Sequence, residues 1–351
     1  MRNRLIFQLI CFALAAILLS GCVQNGGTEI LSSNNDISSD TSSVELPPEK
    51  PKTNSFGLPI VEESDEYGDL LAQIPSGKEV AMLGELSAPK YEDAADRLGK
   101  VLKGYSREVA LVAYTLDNKK AVSFNADAEF FPACTIKAFY SLYNCIEMDK
   151  GNGSLDTEMK YEKKHYETGT GDMQYSPVGT MFDMRTIINK SMSISDNVGY
   201  NMQVDYFGRD GYNEWVSGYG CPSLQIKPTV WALRAKASEH AVMWRELYRY
   251  FISDAEHSEF LYSTCTGTKD NFASKALEGV EYSHKQGFNG GGGWHAMSDA
   301  GIIWKDGNPY IIVILTNSVN ITPEAQSVMD EAVKIIHNEL FCRFVNDVLQ
   351  N

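Results

Sequence analysis

Two different spacings of apolar side chains run along the chain, one typical of helices and one typical of strands. Residues 90–104 carry apolar positions three or four apart and end at a glycine, which predicts an amphipathic helix. Residues 108–130 alternate apolar and polar positions in two runs around Asp117-Asn118, which predicts a β-hairpin. Helical spacing returns at about 135–150, and the glycines of the following KGNGS segment end that second helix.

The rest of the chain predicts a helical block, three strands and a last helix. Helical patterns dominate from 154 to about 262, and strand patterns occupy 279–288, 296–304 and 309–318. Residues 322–350 open with a threonine that can cap a helix and continue with helical spacing. We therefore expect an α+β fold, an α/β sandwich. In it the terminal helices flank a five-stranded antiparallel sheet, beside an all-helical lobe.

The first 22 residues carry the pattern of an export signal. Two arginines among the first four residues precede an apolar run at 5–19, which is too short for a comfortable membrane span. The run ends in Leu-Ser-Gly-Cys, which resembles the bacterial lipobox, whose cysteine is lipidated after cleavage. We expect residues 1–21 to be removed and Cys22 to carry the lipid. An uncleaved anchor and plain secretion are the alternatives.

Residues 22–62 predict a flexible tether rather than a folded segment. They are rich in Ser, Asn, Asp, Thr and Pro, so they bury too little apolar surface to fold. As a coil, ~40 residues span about 35 Å. We expect residues 63–351 to form the folded domain, held at the outer face of the membrane by this tether and the lipid.

Composition and charge narrow the class of protein. The chain has 351 residues, of which 43% are apolar, so it can bury a substantial core. Its net charge of −15 argues against nucleic acid as a partner, because phosphate contacts need a basic face. The seven cysteines form neither a Cys-x-x-Cys pair nor a Cys/His cluster, so we expect no metal and no cofactor. We expect a monomer with at least one free thiol.

A candidate nucleophile lies at the start of the second predicted helix, in the segment FPACTIK. Cys134 and Lys137 are three residues apart, so a helix places both on one face. A lysine whose pKa is lowered by burial or by other cations can accept a proton from such a thiol. A Cys-x-x-Lys pair alone is weak evidence, because many helices contain one by chance.

Two further motifs follow the Cys-x-x-Lys segment, Ser-Asp-Asn at 195–197 and Lys-Gln-Gly at 285–287. In this order and with these spacings, the three motifs resemble the signature of class A β-lactamases and penicillin-binding proteins. The resemblance extends over about 85–350 and includes the segments SDAGIIW and PYIIVILTN. It implies the fold of that family and acyl-transfer chemistry on a β-lactam or a cell-wall peptide amide.

The resemblance assigns catalytic roles residue by residue. Cys134 occupies the position of the nucleophile, and Lys137 that of the neighbouring base or proton relay. Ser195 would pass a proton to the leaving nitrogen of the substrate. Asn197 would bind a substrate amide, and Lys285 would supply positive charge for a substrate carboxylate.

The same resemblance assigns the substrate-binding segment of the last motif. The main-chain N–H groups of Cys134 and Phe288 would form the oxyanion hole. Gln286 and Gly287 would contact the substrate beside them. Asp196 is expected to hold its loop in place rather than to react.

Three departures from the family pattern bear on activity. The nucleophile is sulfur, which ionises more easily than a hydroxyl but is larger than the oxygen for which the site is shaped. Gln286 stands where the family has Thr or Ser, which weakens the case for recognition of a β-lactam carboxylate. The stretch at 220–233 lacks the glutamate that activates the deacylating water in class A enzymes, and Glu214 is expected to be an exposed helix residue. An acyl-enzyme is therefore expected to be long-lived.

Plainer interpretations of these residues remain open. Cys134 could be a small buried apolar side chain in an inactive site. Lys137 and Lys285 could be solvated lysines, and Ser195 and Asn197 could form an ordinary helix cap and turn.

A cysteine–histidine pair is a further alternative for the thiol. His284 is adjacent to Lys285 in a strand, so it faces away from the cleft if Lys285 faces into it. His295 lies in a glycine-rich turn from which it could approach the cleft, but nothing in the sequence fixes its geometry.

The sequence therefore predicts an exported, lipid-anchored hydrolase related to β-lactamases. Its expected ligand is a small β-lactam or a peptidoglycan peptide, and its expected membrane contact is the lipid. The alternative is a catalytically impaired protein of the cell envelope that binds a ligand in the same cleft.

Overall fold

The computed structural model describes residues 52–228, 233–305 and 307–342. The expected signal segment, the expected lipidation site Cys22 and most of the expected tether lie outside these residues. Within the described part, no helix is both long and apolar enough to cross a membrane.

Six strands form a central antiparallel sheet, and two more pair in a small separate sheet. The strands are β1 (Ala81–Gly84), β2 (Val109–Thr115), β3 (Lys120–Phe124), β4 (Glu158–Lys160), β5 (Met181–Asp183), β6 (Glu281–Asn289), β7 (Ala296–Trp304) and β8 (Tyr310–Thr316). The order in the central sheet is β1-β3-β2-β8-β7-β6. All five predicted strands are present. The sixth strand, β1, was not predicted, because four half-buried residues carry too little alternation to be recognised.

Eight α-helices surround the sheet in the described part of the chain. They are α1 (Glu92–Gly104), α2 (Lys137–Asp149), α3 (Met184–Ser193), α4 (Asn197–Phe207), α5 (Asp210–Gly218), α6 (Ala237–Phe251), α7 (Ser258–Thr266) and α8 (Pro323–Ile335). Helices α3 to α7 correspond to the predicted helical lobe, and α1 and α8 to the predicted terminal helices. The last helix continues to Phe341 with wider π-helical turns, and the remainder of its predicted length lies outside the described residues.

Alternation along the strands builds two apolar cores, one on each face of the sheet. On β2, Leu111 belongs to the core that includes Leu98 of α1 and Met329 of α8. The next residue, Val112, belongs to the core shared with the helical lobe, which includes Trp244 of α6. Because both faces are covered, β2 is buried along its whole length. The predicted α+β architecture is confirmed.

Helix α2 runs through the interior of the helical lobe. Ten of its 13 residues are buried, among them Phe139 and Leu142, which are fully enclosed. A helix that is buried on nearly all sides is fixed by packing rather than by its own helix propensity. The turn that carries Cys134 joins the N-terminal end of this helix, which packing holds in place.

Residues 52–62, which their composition assigned to the tether, pack against the folded body. Asn54 Nδ2 donates to the carbonyl oxygen of Phe251 at 3.0 Å. Leu58 is buried in the same core as the helical lobe. The folded body therefore extends back to residue 52 rather than starting at 63. The composition of residues 52–62 did not indicate that they are folded. They are mostly polar and are held by side-chain to main-chain hydrogen bonds and one buried leucine.

Asn118, at the turn of the predicted hairpin, fastens this N-terminal segment to the sheet. Its Nδ2 donates to the carbonyl oxygens of Ser64 at 2.7 Å and Gly68 at 2.6 Å. Its Oδ1 accepts from the N–H of Leu70 at 3.2 Å and from the hydroxyl of Tyr114 at 3.1 Å. The residue is buried and adopts a left-handed backbone with φ of 56°, which asparagine tolerates better than most residues.

We predict that Asn118→Ala lowers the free energy of unfolding by about 1–3 kcal/mol, because it leaves buried hydrogen-bonding groups without partners. Chemical denaturation followed by circular dichroism measures this change. The matched variant Asn118→Gly tolerates the left-handed backbone, so it isolates the loss of the side-chain hydrogen bonds and should also be destabilised. Unchanged denaturation midpoints in both variants would contradict this role for Asn118.

Candidate active site

Cys134 lies in a short 3₁₀ turn, Ala133–Ile136, that leads directly into α2. Ala133 adopts a left-handed backbone with φ of 49°, a conformation that costs about 1–3 kcal/mol in a residue with a side chain. The turn presents the partly exposed Cys134 to a cleft. The N–H groups at the start of a helix favour negative charge, so this position suits a thiolate.

Lys137 is fully buried at the first turn of α2, where neutral oxygens hold its ammonium group. Its Nζ donates to the carbonyl oxygen of Ser195 at 2.6 Å and to Asn197 Oδ1 at 2.8 Å. Burial lowers the pKa of Lys137, and the neighbouring charge of Cys134 offsets part of that shift. These contacts join the start of α2 to the loop that leads into α4.

The Ser195 hydroxyl joins Lys137 to a second buried lysine. Its Oγ accepts a hydrogen bond from Lys285 Nζ at 3.0 Å and lies 3.5 Å from Lys137 Nζ. Lys285 is on β6 and is fully buried, and this burial lowers its pKa to about 8. Ser195 reaches this position through a left-handed backbone with φ of 60°. One hydroxyl therefore bridges two lysines and can carry a proton between them.

The charges around Cys134 favour its thiolate form. Burial alone would raise the pKa of the thiol, but the ammonium groups of Lys137 and Lys285 and a hydrogen bond from Ser195 more than offset it. The pKa of Cys134 therefore lies below its ordinary value. By contrast, burial raises the pKa of Cys145 well above the ordinary value.

Asp196 holds the Ser195 loop in place, in line with the structural role expected for it. Its side chain is fully buried and caps α4, where Oδ1 accepts from the N–H of Gly199 at 2.9 Å. The other oxygen, Oδ2, accepts from the N–H of Met173 at 2.9 Å. The carboxylate thus ties α4 to the loop that precedes α3.

Strand β6 passes so close to the Cys134 turn that position 287 has room only for glycine. A Cβ atom on Gly287 would lie 2.7 Å from both Cys134 N and Pro132 O, far inside van der Waals contact. Phe288 follows on the same strand and lines the same cleft. The two segments that carry the expected oxyanion-hole N–H groups, those of Cys134 and Phe288, are therefore in direct contact.

The predicted site residues border one cleft of ≈480 Å³. Its lining consists of Phe131, Ala133, Cys134, Glu167, Thr168, Gly169, Thr170, Ser195, Asn197, Gln286, Gly287, Phe288, Asn289, Gly290, Trp294 and Asn320. Lys137 and Lys285 lie directly behind this lining, without exposed surface. Residues from three distant motifs are thus brought together around one cavity.

Glu167 is a cleft residue that the sequence analysis missed. Its loop is held at the cleft by Asn197, whose Nδ2 donates to the carbonyl oxygen of Thr168 at 2.9 Å. The N–H of Asn197 also donates to the carbonyl oxygen of Thr170 at 3.2 Å. No motif marks Glu167 in the sequence, because its position depends on these contacts between parts of the chain 27 to 29 residues apart.

Neither histidine considered at first as a partner for the thiol is found in the cleft lining. His284 Nδ1 lies 2.9 Å from Asp299 Oδ1, and its ring stacks on Tyr282 with centroids 4.3 Å apart. His295 lines a different, smaller cavity beside Arg234. The expectation that His284 and Lys285 face opposite ways is confirmed, and the cysteine–histidine alternative gains no support.

The described residues of the stretch at 220–233, which are 220–228 and 233, contribute nothing to the cleft lining. Near it, Glu239 is buried and its Oε2 accepts from the N–H of Ser223 at 2.8 Å, so this carboxylate holds the loop. Glu214 is exposed on α5, as expected. The described part of this stretch therefore supplies no carboxylate for activating water beside Cys134.

One group of side chains in the described part has the spacing to hold a metal ion, Asp149, Glu256 and His257. The Asp149 carboxylate already accepts from Tyr250 at 2.6 Å and lies 2.5 Å from His257 Nδ1. None of the three residues lines the cleft. This group therefore has no direct part in the arrangement around Cys134.

A family model described as the beta-lactamase enzyme family, Beta-lactamase2, matches residues 93–340. The match covers well over half of the chain, so the chain belongs to this family. The expected class of enzyme, a hydrolase of the β-lactamase type, is confirmed by this membership. A search of curated proteins gives no significant match.

Solved structures share the fold at low sequence identity. The structure of PBP-A has a TM-score of 0.62 and 18% identity, and covers 69% of this chain and 94% of its own. A β-lactamase from Chitinophaga pinensis has a TM-score of 0.62 and 18% identity, and covers 70% and 98%. An ancestral class A β-lactamase has a TM-score of 0.60 and 16% identity, and covers 69% and 98%. These likenesses confirm the expected β-lactamase-like fold.

We predict that Gly287→Ala lowers the free energy of unfolding by about 1–3 kcal/mol and slows alkylation of Cys134, because β6 must move away from the nucleophile turn. Denaturant unfolding and the rate of iodoacetamide labelling at Cys134 measure the two effects. Gly218→Ala is the matched control, since nothing lies within 4 Å of a Cβ at that position. Equal labelling rates and stabilities for the two variants would show that the close approach at Gly287 is unimportant.

Proposed function

We propose that the protein is an exported acyl hydrolase or transferase in which Cys134 attacks a β-lactam or a cell-wall peptide amide. The observation that carries this proposal is the thiol beside two buried lysines that share one serine hydroxyl. A buried pair of lysines costs more free energy than a buried apolar pair of similar size, because burying charge is costly. Packing alone therefore does not explain Lys137 and Lys285. Perturbed groups that converge on a cleft are instead typical of catalytic sites.

Acylation begins with the Cys134 thiolate. The sulfur attacks the carbonyl carbon, an S–C bond forms, and the carbonyl electron pair moves to the oxygen. The main-chain N–H groups of Cys134 and Phe288 stabilise that oxyanion. When the C–N bond breaks, the leaving nitrogen takes a proton from the Ser195 hydroxyl, and Lys137 or Lys285 replaces that proton. The oxyanion returns its electron pair to re-form the carbonyl as the C–N bond breaks. The products are a thioester on Cys134 and an amine, which stays attached to the acyl group when the substrate is a β-lactam.

Asn197 contributes to this reaction mainly by fixing the site. Its Oδ1 is held by Lys137 and its Nδ2 by the carbonyl oxygen of Thr168. One N–H of Nδ2 remains for the substrate amide, so the substrate contact expected for Asn197 uses that single donor.

Release of the acyl group is the slow step in this proposal. The described part of 220–233 offers no carboxylate to activate water. Among the described residues, the Glu167 carboxylate of the lining has no hydrogen bond to Ser195, Lys137 or Lys285. A thioester without such a base persists until water or an amine reaches it unaided. The protein therefore releases the acyl group slowly to water, or transfers it to an amine that enters the cleft.

Two further observations support the substrate class and the location. A mutant of PBP-A with this fold, at a TM-score of 0.64 and 16% identity, is described as an acyl-enzyme complex with penicillin G. The lipobox-like Leu-Ser-Gly-Cys segment ending at Cys22 and the polar residues after it support a lipid-anchored domain outside the cytoplasm. A domain tethered there would meet β-lactams and peptidoglycan peptides before any cytoplasmic amide.

The alternative is a protein of the cell envelope that binds its ligand without turning it over. The lack of a water-activating carboxylate in the described part of 220–233 favours it. Ligand binding that is unchanged by Cys134→Ala, with no adduct on the native protein, would support this alternative over the acyl-transfer proposal.

We predict that the methyl ester of a penicillin forms a covalent adduct with Cys134. The mass of the protein should increase by the full mass of the ester, and the increase should lie on the peptide that contains Cys134. Lys137→Met should slow this labelling by about 10²-fold or more, because the Cys134 thiolate loses a neighbouring cation and Ser195 loses one of its two proton sources. Intact-mass and peptide-mass measurements over time give the rates.

Two cysteine variants serve as controls for this labelling. Cys134→Ala should abolish the adduct, whereas Cys342→Ala, which alters another partly exposed cysteine, should retain it. No adduct on the native protein, or equal labelling of Cys134→Ala, would rule out the acyl-transfer proposal.

A further inference from the structure

The cleft and its immediate surroundings carry charges of opposite sign at different depths. Lys137 and Lys285 have no exposed surface, so neither presents its ammonium group to a ligand. Among the described residues of the cleft lining, the one charged side chain is Glu167, which is partly exposed. A ligand in the cleft therefore meets a carboxylate at its surface and meets the cations only through the residues that cover them.

Gln286 is the residue that covers Lys285. The Lys285 ammonium group has three N–H donors, and three neutral acceptors lie within reach of them. These are Ser195 Oγ at 3.0 Å, the carbonyl oxygen of Gln286 at 2.9 Å, and Gln286 Oε1 at 3.0 Å. Gln286 is itself part of the cleft lining. Gln286 Oε1 and Ser195 Oγ, both on lining residues, therefore occupy Lys285 donors that a substrate carboxylate would need.

A shorter hydroxyl side chain at this position would act differently. A threonine or serine has a donor of its own, and its hydroxyl is too short to fold back over the lysine as the Gln286 amide does. The side-chain oxygen Oε1 of Gln286 accepts from Lys285. Because the side-chain amide is itself neutral, Gln286 supplies no positive charge to a ligand carboxylate. An anionic group at this end of the cleft therefore loses its water without gaining an ion pair.

The loop that carries Glu167 is held at the cleft by hydrogen bonds to its main chain. The loop is fixed at Thr168 by Asn197 Nδ2. Beyond Thr168 in the same loop, Gln174 Nε2 donates to the carbonyl oxygens of Gly169 at 3.0 Å and Gly171 at 2.9 Å. A carboxylate on a fixed loop repels an anionic ligand and attracts a cationic one.

We propose that Gln286 and Glu167 set a charge selectivity in which the cleft accepts neutral or cationic acyl donors and disfavours those with a carboxylate beside the scissile amide. The inference deepens the proposed function and rests on it for the identity of the reaction. The substrate class it names is an amide or lactam whose neighbouring carboxyl group is absent, esterified or amidated. An amino group elsewhere on the acyl donor adds to its affinity through Glu167.

Equilibrium binding to the Cys134→Ala protein tests this selectivity separately from any reaction. The probes are a penicillin as its free acid, its methyl ester, and the methyl ester of a penicillin with an amino group on its acyl side chain. We expect the neutral ester to bind about tenfold more tightly than the acid, and the amino ester more tightly still. Isothermal titration calorimetry measures all three dissociation constants.

Two further substitutions in the same Cys134→Ala background separate the two residues. Gln286→Thr should raise the affinity for the acid relative to the ester, because it uncovers Lys285. Glu167→Gln should remove the advantage of the amino ester over the neutral ester, and its partly exposed position makes it a safe change for folding. For Gln286→Thr the result is the ratio of the dissociation constants of the acid and the neutral ester. For Glu167→Gln it is the ratio for the neutral ester and the amino ester.

The outcomes for the two proposals are distinct. An acid that binds as tightly as its ester, or ratios that neither substitution moves, would overturn the charge selectivity even if Cys134 is acylated. The predicted order of affinities would support the selectivity even if the native protein forms no adduct, an outcome that would overturn only the acyl-transfer proposal.

Discussion

The site depends on keeping two lysine ammonium groups buried side by side. Burial disfavours each charge and the two charges repel one another, so Lys137 and Lys285 need acceptors close at hand. Main-chain and side-chain oxygens supply them, and the Ser195 hydroxyl lies between the two. Burial lowers the pKa of both lysines, and the negative charge of the Cys134 thiolate offsets part of that lowering. In the proposed reaction, the Cys134 thiolate is therefore both the nucleophile and the counter-ion of the two lysines.

Three segments must meet for this arrangement to exist, and each is held from outside the cleft. The buried helix α2 fixes the lysine next to the nucleophile. Asp196 fixes the loop that carries Ser195, through contacts with α4 and with Met173. Gly287 allows β6 to touch the nucleophile turn and so brings in Lys285. In the proposed reaction, the Cys134 sulfur is the reacting atom that this framework positions.

The sequence predicted the parts of the molecule that depend on local pattern. Five strands, the terminal helices and the residues of the three motifs were found because periodicity and short spacings record them. The strand β1, the packing of residues 52–62 and the position of Glu167 were not found. Each of these depends on contacts between distant segments, such as Asn197 with Thr168, and leaves no local signal. The sequence showed that Gln286 departs from the Thr or Ser of the family motif. Its hydrogen bond with Lys285 is visible only in the structure.

The proposed reaction depends most directly on one electrostatic effect. Lys137 and Lys285 lower the pKa of the Cys134 thiol below its ordinary value. Titration of the ultraviolet absorbance of the thiolate against pH, with the Cys134→Ala protein as the blank, measures that pKa directly. We expect a midpoint below that of an ordinary cysteine, and an upward shift of the midpoint in Lys137→Met. A midpoint at or above the ordinary value that Lys137→Met leaves unmoved would contradict the claim.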